Sequence, residues 1–240
     1  MNDASNPVYT NLDPRWERVA IPSFVDINST TIRHKIFDAM DATAVRAWLR
    51  GTQAGEEVSE HVILTLQAFC ATTAWAELKT EYDYLKQYRQ TWSAAPYPPV
   101  FITVDAVVVH DQQVLLIKRK NYPGKGLWAL PGGFVDQNET LVDACVRELL
   151  EETAINLPAA ELKSAIRSRQ VFDYPYRSAR GRTITEVFYF DLRAPGDLPA
   201  ISAGDDASAV RWFSLADLDP ATLNEDHYFI IRKLTATGPA

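Results

Sequence analysis

One segment, from Gly133 to Ile155, constrains this chain more than the rest because it joins a glycine turn to a dense acidic pattern. Between Thr140 and Thr153 the segment contains neither Gly nor Pro. Its apolar residues recur at helical spacing, at Val142, Cys145, Val146 and Leu149. The pattern predicts an amphipathic helix over about 140–153. The preceding turn, 131–134, has the sequence PGGF, and its glycines let a strand end close to a bound ion.

Three glutamates of this predicted helix, Glu148, Glu151 and Glu152, stand at positions i, i+3 and i+4, so their carboxylates share one side. Ionised carboxylates this close repel one another unless a hard cation lies between them. Mg2+ accepts such oxygen ligands together with waters and phosphate oxygens. The pattern therefore favours a magnesium site for phosphate chemistry, with the Gly133 carbonyl as a further candidate ligand. The alternative is a solvated acidic face on which Arg147 makes an ordinary surface ion pair.

The complete spacing, G-x5-E-x7-R-E-apolar-x-E-E, resembles the signature of the Nudix hydrolase superfamily. The residues that carry it are Gly133, Glu139, Arg147, Glu148, Glu151 and Glu152. The resemblance implies an α/β fold, an α/β/α sandwich with a mixed sheet. It also implies Mg2+ as the cofactor, with Mn2+ as an alternative metal. The family has Gly where this chain has Ala154, and we expect this difference to change the helix end without affecting catalysis.

The resemblance implies roles for the charged side chains of the motif. We expect Glu148, Glu151 and Glu152 to hold roughly two or three metal ions, which lower the pKa of a bound water molecule. Arg147 and Glu139 are expected to orient these carboxylates, since an arginine beside a glutamate cluster can fix the side-chain conformations.

Water is the expected nucleophile, and the group that takes its proton is left open. Glu152 is one candidate general base. Asp205 and Asp206 are the other candidates, because they lie in the loop SAGDDASAV before a predicted strand, where Nudix enzymes often place a further acidic group. The alternative is that both aspartates belong to an ordinary polar loop.

The composition fits a cytoplasmic enzyme. With 240 residues and 47% hydrophobic content, the chain can bury one large core or two small ones. The formal net charge of -7 argues against nonspecific nucleic-acid binding, and the lack of a long apolar run argues against a membrane span. Cys70 and Cys145 both lie in apolar helical patterns, which favours buried free thiols in a reducing compartment.

Three prolines in the segment 92–100, WSAAPYPPV, interrupt the helical periodicity and predict a domain boundary there. We therefore predict a mainly helical domain over 1–95 and an α/β domain over 96–240. In the second domain, apolar and β-branched runs predict strands at 100–110, 114–120, 127–130, 163–174, 183–192 and 209–213. A final helix is predicted near 223–234.

The segment Ile27–Arg33, INSTTIR, resembles a motif of nicotinamide-mononucleotide adenylyltransferases, in which hydroxyls and an arginine hold phosphate at a helix start. The alternative is an ordinary capped helix. Together with the Nudix motif, the segment resembles proteins in which this transferase is fused to an ADP-ribose pyrophosphatase. The histidines supply no H-x-G-H motif for ATP phosphates, so we predict that 1–95 is a truncated remnant of a nucleotidyltransferase domain without transferase activity. The apolar residues that recur at helical spacing in this part of the chain, up to Trp92, are expected to serve packing.

The segment 172–182, FDYPYRSARGR, is the candidate region for substrate recognition. Aromatic faces can stack on adenine, and guanidinium groups suit diphosphate or ribose oxygens. The residues expected to bind substrate are Tyr174, Arg177, Arg180 and Arg182. The alternative is a hairpin tip with solvated arginines.

The resemblance to the fused enzymes implies Mg2+-dependent hydrolysis of the diphosphate of ADP-ribose to AMP and ribose 5-phosphate, in NAD-related metabolism. One alternative is a Nudix hydrolase of another nucleoside diphosphate derivative. The other is a non-catalytic regulator that senses ADP-ribose. The expected partner is a small nucleotide, with neither nucleic acid nor membrane, and a homodimer is expected by analogy with ADP-ribose hydrolases.

Overall fold

The structure is a computed structural model that describes residues 29–39, 41–51, 60–192, 198–204 and 207–236. The chain divides into two compact units, Met1–Glu77 and Leu78–Ala240. The domain boundary between residues 95 and 96 stays a prediction. No helix within the described ranges is both long enough and apolar enough to span a membrane.

The described residues of the first unit are helical. They form α1 (Ser29–Asp38), α2 (Ala42–Gly51), α3 (Glu60–Cys70) and the beginning of α4 (Thr73–Thr91). Their shared core contains the buried side chains of Ile36, Val45, Cys70 and Trp75. The last five residues of INSTTIR open α1, where Arg33 Nε donates to the Ser29 carbonyl at 3.2 Å, and its first two lie outside the described residues. Cys70, and Cys145 in the second unit, are buried free thiols, as predicted.

Seven strands of the second unit form one mixed sheet. They are β1 (Phe101–His110), β2 (Gln113–Arg119), β3 (Trp128–Ala129), β4 (Gly132–Phe134), β5 (Ile166–Phe172), β6 (Thr183–Asp191) and β7 (Ala207–Ser214). The main path runs β3-β2-β1-β6-β5, with β4 also paired to β1 and β7 also paired to β2. Strands β1 and β6 are parallel, and the other described pairs are antiparallel. The predicted mixed sheet is confirmed.

Helices pack against both faces of this sheet. They are α5 (Leu141–Thr153), α6 (Ala159–Ser164) and α7 (His227–Ala236). On one face, Val104, Ala106 and Val108 of β1 join the apolar cluster of α5 and α6. On the other face, Val107 and Val109 join the cluster of α7. Because both faces are covered, β1 has the near-continuous apolar sequence of a fully buried strand. The predicted α/β/α sandwich is confirmed.

Two local features differ from the predictions. Strand β4 lies inside the predicted PGGF turn, where Gly132 and Gly133 pair with Asp105 and Val104 of β1. Glycine allows this close approach, since a methyl group at Gly132 would overlap the backbone of β1. The last helix begins at His227, later than predicted, because Leu223 is extended and bridges to Trp128 and Glu225 has a left-handed backbone with φ 46.

Helix α5 has defined ends that match the predicted range. At its start, the Thr140 hydroxyl accepts a hydrogen bond from the Asp143 backbone N–H at 3.3 Å. At its end, Ala154 adopts a left-handed conformation, with φ 40 and ψ 37, and its N–H donates to the Leu150 carbonyl at 2.9 Å. Glycine is the usual residue in this conformation because a Cβ atom makes it costly.

Replacing Ala154 by glycine should therefore stabilise the protein. We expect Ala154→Gly to raise the free energy of unfolding by about 0.5 to 1 kcal/mol, since relief of the left-handed strain outweighs the added entropy of the unfolded chain. Urea denaturation measures this change. The control is Ala160→Gly within α6, which should lower the free energy of unfolding by about 0.5 to 1 kcal/mol. Equal destabilisation by both variants would show that Ala154 carries no strain.

Candidate active site

The guanidinium of Arg147 connects three glutamates and one strand. Nε and Nη2 donate to the two oxygens of Glu139 at 3.0 and 2.7 Å. Nη1 donates to Glu148 at 2.8 Å and to Glu151 at 3.0 Å, and Nη2 also donates to the Phe134 carbonyl at 3.2 Å. These hydrogen bonds raise the pKa of Arg147, and the bonds to Glu139 have the largest effect. This arrangement fixes the glutamate side chains and ties β4 to α5.

Glu139 lies in the loop between β4 and α5. Its Oε1 accepts a hydrogen bond from the Asp136 backbone N–H at 2.8 Å, in addition to the paired bonds from Arg147. The hydrogen bonds from Arg147 lower the pKa of Glu139 most, and the hydrogen bond from the Asp136 backbone lowers it further. The loop carboxylate is therefore held ionised and in one orientation.

Glu152 and Glu148 form the buried part of the acidic group. The Glu152 residue is only 8% exposed, and its Oε2 accepts a hydrogen bond from the Gly132 N–H at 2.9 Å. Burial raises the pKa of Glu152 to about 8, and the charge of Glu148 adds to this rise. Burial also raises the pKa of Glu148, whose carboxylate lies so close to Gly133 that a methyl group there would overlap it. Desolvation thus disfavours the charged form of both carboxyls.

A hard divalent cation fits this donor set. Oxygen ligands suit such ions, and a cation beside Glu148 and Glu152 would offset the desolvation that raises their pKa values. Glu151 is placed differently, because its side chain is 59% exposed and is paired with Arg147. Within the described ranges, no three His, Cys, Asp or Glu side chains are gathered closely enough to form a metal site. The assignment of Glu148, Glu151, Glu152 and Gly133 as ligands stays a prediction.

A cavity of about 380 Å³ opens beside the two buried carboxyls, and we call it the catalytic cavity. Its charged and aromatic lining comprises Glu148, Glu152, Asp136, Arg119, Lys120, Arg147, Arg180, Tyr84, Tyr122 and Phe134. Arginine side chains offer hydrogen bonds to phosphate oxygens, and aromatic rings offer flat faces for a base. The cavity therefore combines groups suited to a metal, a diphosphate and a nucleobase.

Residues 100–234 match the model of the NUDIX domain. This chain belongs to the NUDIX family. It is 40% identical over 148 residues to an ADP-ribose pyrophosphatase of Methanocaldococcus jannaschii, an alignment that covers 62% of this chain and 77% of that protein. The family prediction is confirmed, and the chain is a Nudix hydrolase homologous to that pyrophosphatase.

Two further relatives extend beyond the part that this chain matches. A bifunctional NMN adenylyltransferase/ADP ribose pyrophosphatase from Francisella tularensis, complexed with AMP and a manganese ion, superposes with a TM-score of 0.78 at 36% identity. The match covers 93% of this chain and 64% of that one, so the chain spans somewhat less than two thirds of that enzyme. An ADPR responsive transcriptional repressor of Acinetobacter baylyi is 41% identical over 119 residues, covering 47% of this chain and 43% of the repressor.

Two of the predicted substrate arginines have different environments. Arg180 lines the catalytic cavity of the Nudix unit, with its guanidinium carbon 5.7 Å from the centre of the Phe134 ring. Arg177 is instead buried, and it forms a bidentate ion pair with Asp226. Its Nε donates to Oδ2 at 3.0 Å and its Nη2 donates to Oδ1 at 2.9 Å. Arg180 is thus placed to meet a ligand there, whereas Arg177 lines a smaller neighbouring cavity with its guanidinium already paired to Asp226.

The other predicted substrate residues lie outside the lining of the catalytic cavity. Arg182 donates to the Asp173 carbonyl and lines a separate, more apolar cavity together with Trp92. The Tyr174 ring lies edge-on to that of Tyr176, with 5.8 Å between the centres. The structure therefore does not bring Arg182 and Tyr174 together with Glu148 and Glu152, and their substrate role stays a prediction.

The candidate bases Asp205 and Asp206 lie outside the described residues. The segment before them packs on the end of the Nudix helix, where the Gly204 N–H donates to the Glu152 carbonyl at 3.1 Å. Ser202 N–H likewise donates to the Thr153 carbonyl at 2.9 Å. These bonds satisfy carbonyls at the helix end.

Helix α4 supplies a wall of the catalytic cavity that sequence reasoning missed. Tyr84 lies 39% exposed in the lining, and its ring centre is 6.0 Å from that of Tyr122. Glu81 accepts a hydrogen bond from the Gly124 N–H at 2.8 Å, which attaches the helix to the same loop. Tyr84, Tyr88 and Trp92 recur every four residues, a spacing equally typical of packing. Only the tertiary contacts distinguish the two roles.

Arg119, at the end of β2, was also missed. Its Nε donates to the Pro123 carbonyl at 2.8 Å, which holds the side chain at the edge of the catalytic cavity. Burial and the neighbouring Arg180 lower the pKa of Arg119, while Glu152 acts in the opposite direction. A charged residue at the end of an apolar strand was the available signal, but many surface strands show the same pattern.

The geometry of Arg147 predicts that lysine cannot replace it. Lysine is a single charged point and cannot hold both oxygens of Glu139 while also reaching Glu148. We expect Arg147→Lys to lower the free energy of unfolding by about 1 to 3 kcal/mol and metal-dependent turnover by about 10- to 100-fold. Chemical denaturation and steady-state kinetics measure these changes. Arg167→Lys, on the exposed side of β5, is the control and should be nearly neutral. Wild-type stability and turnover of Arg147→Lys would contradict the structural role of the Arg147 guanidinium.

Proposed function

We propose that the Nudix unit hydrolyses the diphosphate of ADP-ribose to AMP and ribose 5-phosphate with Mg2+ as its cofactor, in the cytoplasm and in NAD-related metabolism. The observation that carries this proposal is the catalytic cavity, in which a buried acidic pair adjoins arginines and aromatic rings. The identity of 40% to an ADP-ribose pyrophosphatase supports the choice of substrate. The AMP and manganese bound to the Francisella tularensis enzyme support the product and a divalent metal.

The chemistry divides among the residues of the motif. Divalent metal held by Glu148, Glu151, Glu152 and the Gly133 carbonyl would neutralise the diphosphate and acidify a water molecule. Glu152 takes the proton of the attacking water, with Asp205 and Asp206 as the alternative bases.

Other residues hold the carboxylates and the substrate. Arg147 and Glu139 keep the glutamates in position through the hydrogen bonds described above. Arg119 and Arg180 bind diphosphate oxygens, because both line the catalytic cavity. Tyr84 stacks on the adenine from the side of α4.

A second candidate function is that of an ADP-ribose sensor. The identity of 41% to an ADPR responsive transcriptional repressor favours ADP-ribose as the ligand in this case too. A sensor would bind ADP-ribose without cleaving it. Assays that resolve AMP and ribose 5-phosphate separate the two functions, and a panel of nucleoside diphosphate derivatives tests the substrate class.

Glu152→Gln tests the proposed hydrolysis directly. The substitution keeps the size of the side chain but removes its charge, so kcat for ADP-ribose with Mg2+ should fall by about a thousandfold. Glu161→Gln, on exposed helix α6, is the matched control and should leave kcat unchanged. Comparable turnover by wild type and Glu152→Gln would refute the assignment of Glu152. Binding of ADP-ribose by the wild type without any turnover would instead favour the sensor.

Tyr84→Ala tests the contribution of helix α4. Loss of a stacked ring should weaken substrate binding by about 1 kcal/mol, which corresponds to roughly a fivefold rise in KM with little change in kcat. Tyr84→Phe keeps the ring and should retain the wild-type KM. Tyr97→Ala is the control, because Tyr97 is 81% exposed and is absent from the cavity lining. An unaltered KM in Tyr84→Ala would show that this tyrosine serves packing and does not bind the substrate.

A further inference from the structure

A second, smaller cavity adjoins the catalytic cavity, and we call it the inner cavity. It has a volume of about 100 Å³ and shares Arg119, Gly132, Gly133, Phe134 and Arg180 with the catalytic cavity. Its remaining polar lining consists of Thr103, Asp105, Arg177, Ser178, Thr183, Asn224, Glu225 and His227. Because Gly132 and Gly133 touch the carboxylates of Glu152 and Glu148, a group in the inner cavity would lie next to the reacting diphosphate.

His227 offers a hydrogen-bond donor to the inner cavity. The residue is 5% exposed, and its Nδ1 accepts a hydrogen bond from the Leu130 backbone N–H at 2.8 Å. Burial lowers the pKa of His227 to about 4, so the ring is neutral and carries its proton on Nε2. Among the described residues, none accepts a hydrogen bond from Nε2. A ligand with an acceptor oxygen would satisfy this donor.

Asn224 adds an amide to the same wall. It is 4% exposed, and its side chain forms no hydrogen bond with a residue of the described ranges. Its Oδ1 packs against Gly124, where a methyl group would overlap it, so the amide is held in place by its surroundings. A polar ligand in the inner cavity would give this amide a hydrogen-bond partner.

Asp105 supplies the complementary acceptor. Its Oδ2 accepts a hydrogen bond from the Thr185 hydroxyl at 2.6 Å, which fixes the carboxyl. Its Oδ1 lies beside Gly132, at the boundary with the catalytic cavity. The inner cavity therefore presents a fixed acceptor together with donors, a combination that suits hydroxyl groups because each hydroxyl both donates and accepts.

We infer that the inner cavity binds the terminal ribose of the substrate through its hydroxyl groups, with Asn224, His227 and Asp105 as partners. The inference rests on the proposed hydrolysis of ADP-ribose. The small volume and polar lining favour a monosaccharide, whereas the larger catalytic cavity carries the tyrosine rings suited to adenine. The shared glycine turn places the diphosphate between the two groups.

Binding of ribose 5-phosphate, measured by calorimetry, tests the inner cavity apart from catalysis. The wild type should bind ribose 5-phosphate about tenfold more tightly than either 2-deoxyribose 5-phosphate or inorganic phosphate, since these lack one or all of the hydroxyls. Asn224→Ala should remove most of this preference and should fold, because its side chain has no described protein partner to lose. Asp105→Asn keeps the shape of the carboxyl and should reduce the preference in the same way. Asn156→Ala, at an exposed position outside both cavities, is the control and should bind as the wild type does.

Kinetics with two substrates give an independent readout. Diadenosine diphosphate shares the AMP half and the diphosphate but carries a second base on its distal ribose. Asn224→Ala should lower kcat/KM for ADP-ribose about tenfold while leaving the weaker activity on diadenosine diphosphate unchanged. Equal effects on both substrates, or a loss of AMP affinity in place of ribose 5-phosphate affinity, would overturn the inference. A wild type that binds ribose 5-phosphate through Asn224 but does not cleave ADP-ribose would refute the proposed function and support the subsite.

Discussion

The five hydrogen bonds of Arg147 are the interaction on which the site depends. A guanidinium carries five N–H groups in one plane, and Arg147 directs them at Glu139, Glu148, Glu151 and the Phe134 carbonyl. Without this cation, carboxylates at helical spacing would repel one another and rotate apart. The same side chain also joins the loop, strand β4 and helix α5, so the acidic pattern and the local fold are stabilised together.

The sheet sets the distance between the glycine turn and the Nudix helix. Strand β4 pairs with β1 through Gly132 and Gly133, and neither position has room for a side chain. This lack of side chains brings the backbone of the turn into contact with Glu148 and Glu152. Their burial costs free energy in the folded protein, as their raised pKa values indicate, and the same burial strengthens electrostatic interactions with a bound cation. Stability is thus reduced at the positions where the proposed chemistry would take place.

Sequence reasoning succeeded where the physical signal was local. Helix α5 was predicted almost to the residue because the segment lacks Gly and Pro and its apolar residues keep a regular period. Strand β1 was predicted from its apolar run. The same reasoning predicted Arg177 as a substrate residue, and this stays a prediction. It did not foresee the ion pair of Arg177 with Asp226, which lies 49 positions later and leaves no trace in the local sequence. Such tertiary ion pairs influence which arginines can bind a ligand, and they cannot be inferred from a single sequence.

The elements around the motif explain how one family can process different nucleotides. The region that matches the NUDIX model begins at residue 100, yet Tyr84 of α4 lines the catalytic cavity. On the other side, Asn224 precedes the last helix and His227 begins it. In the proposed function, the glutamates and Arg147 act on a diphosphate, a group common to many nucleotides, whereas these flanking residues meet the parts that differ. A change in α4 or at the start of α7 would then alter substrate choice while the hydrogen bonds of Arg147, and with them the proposed chemistry, are kept.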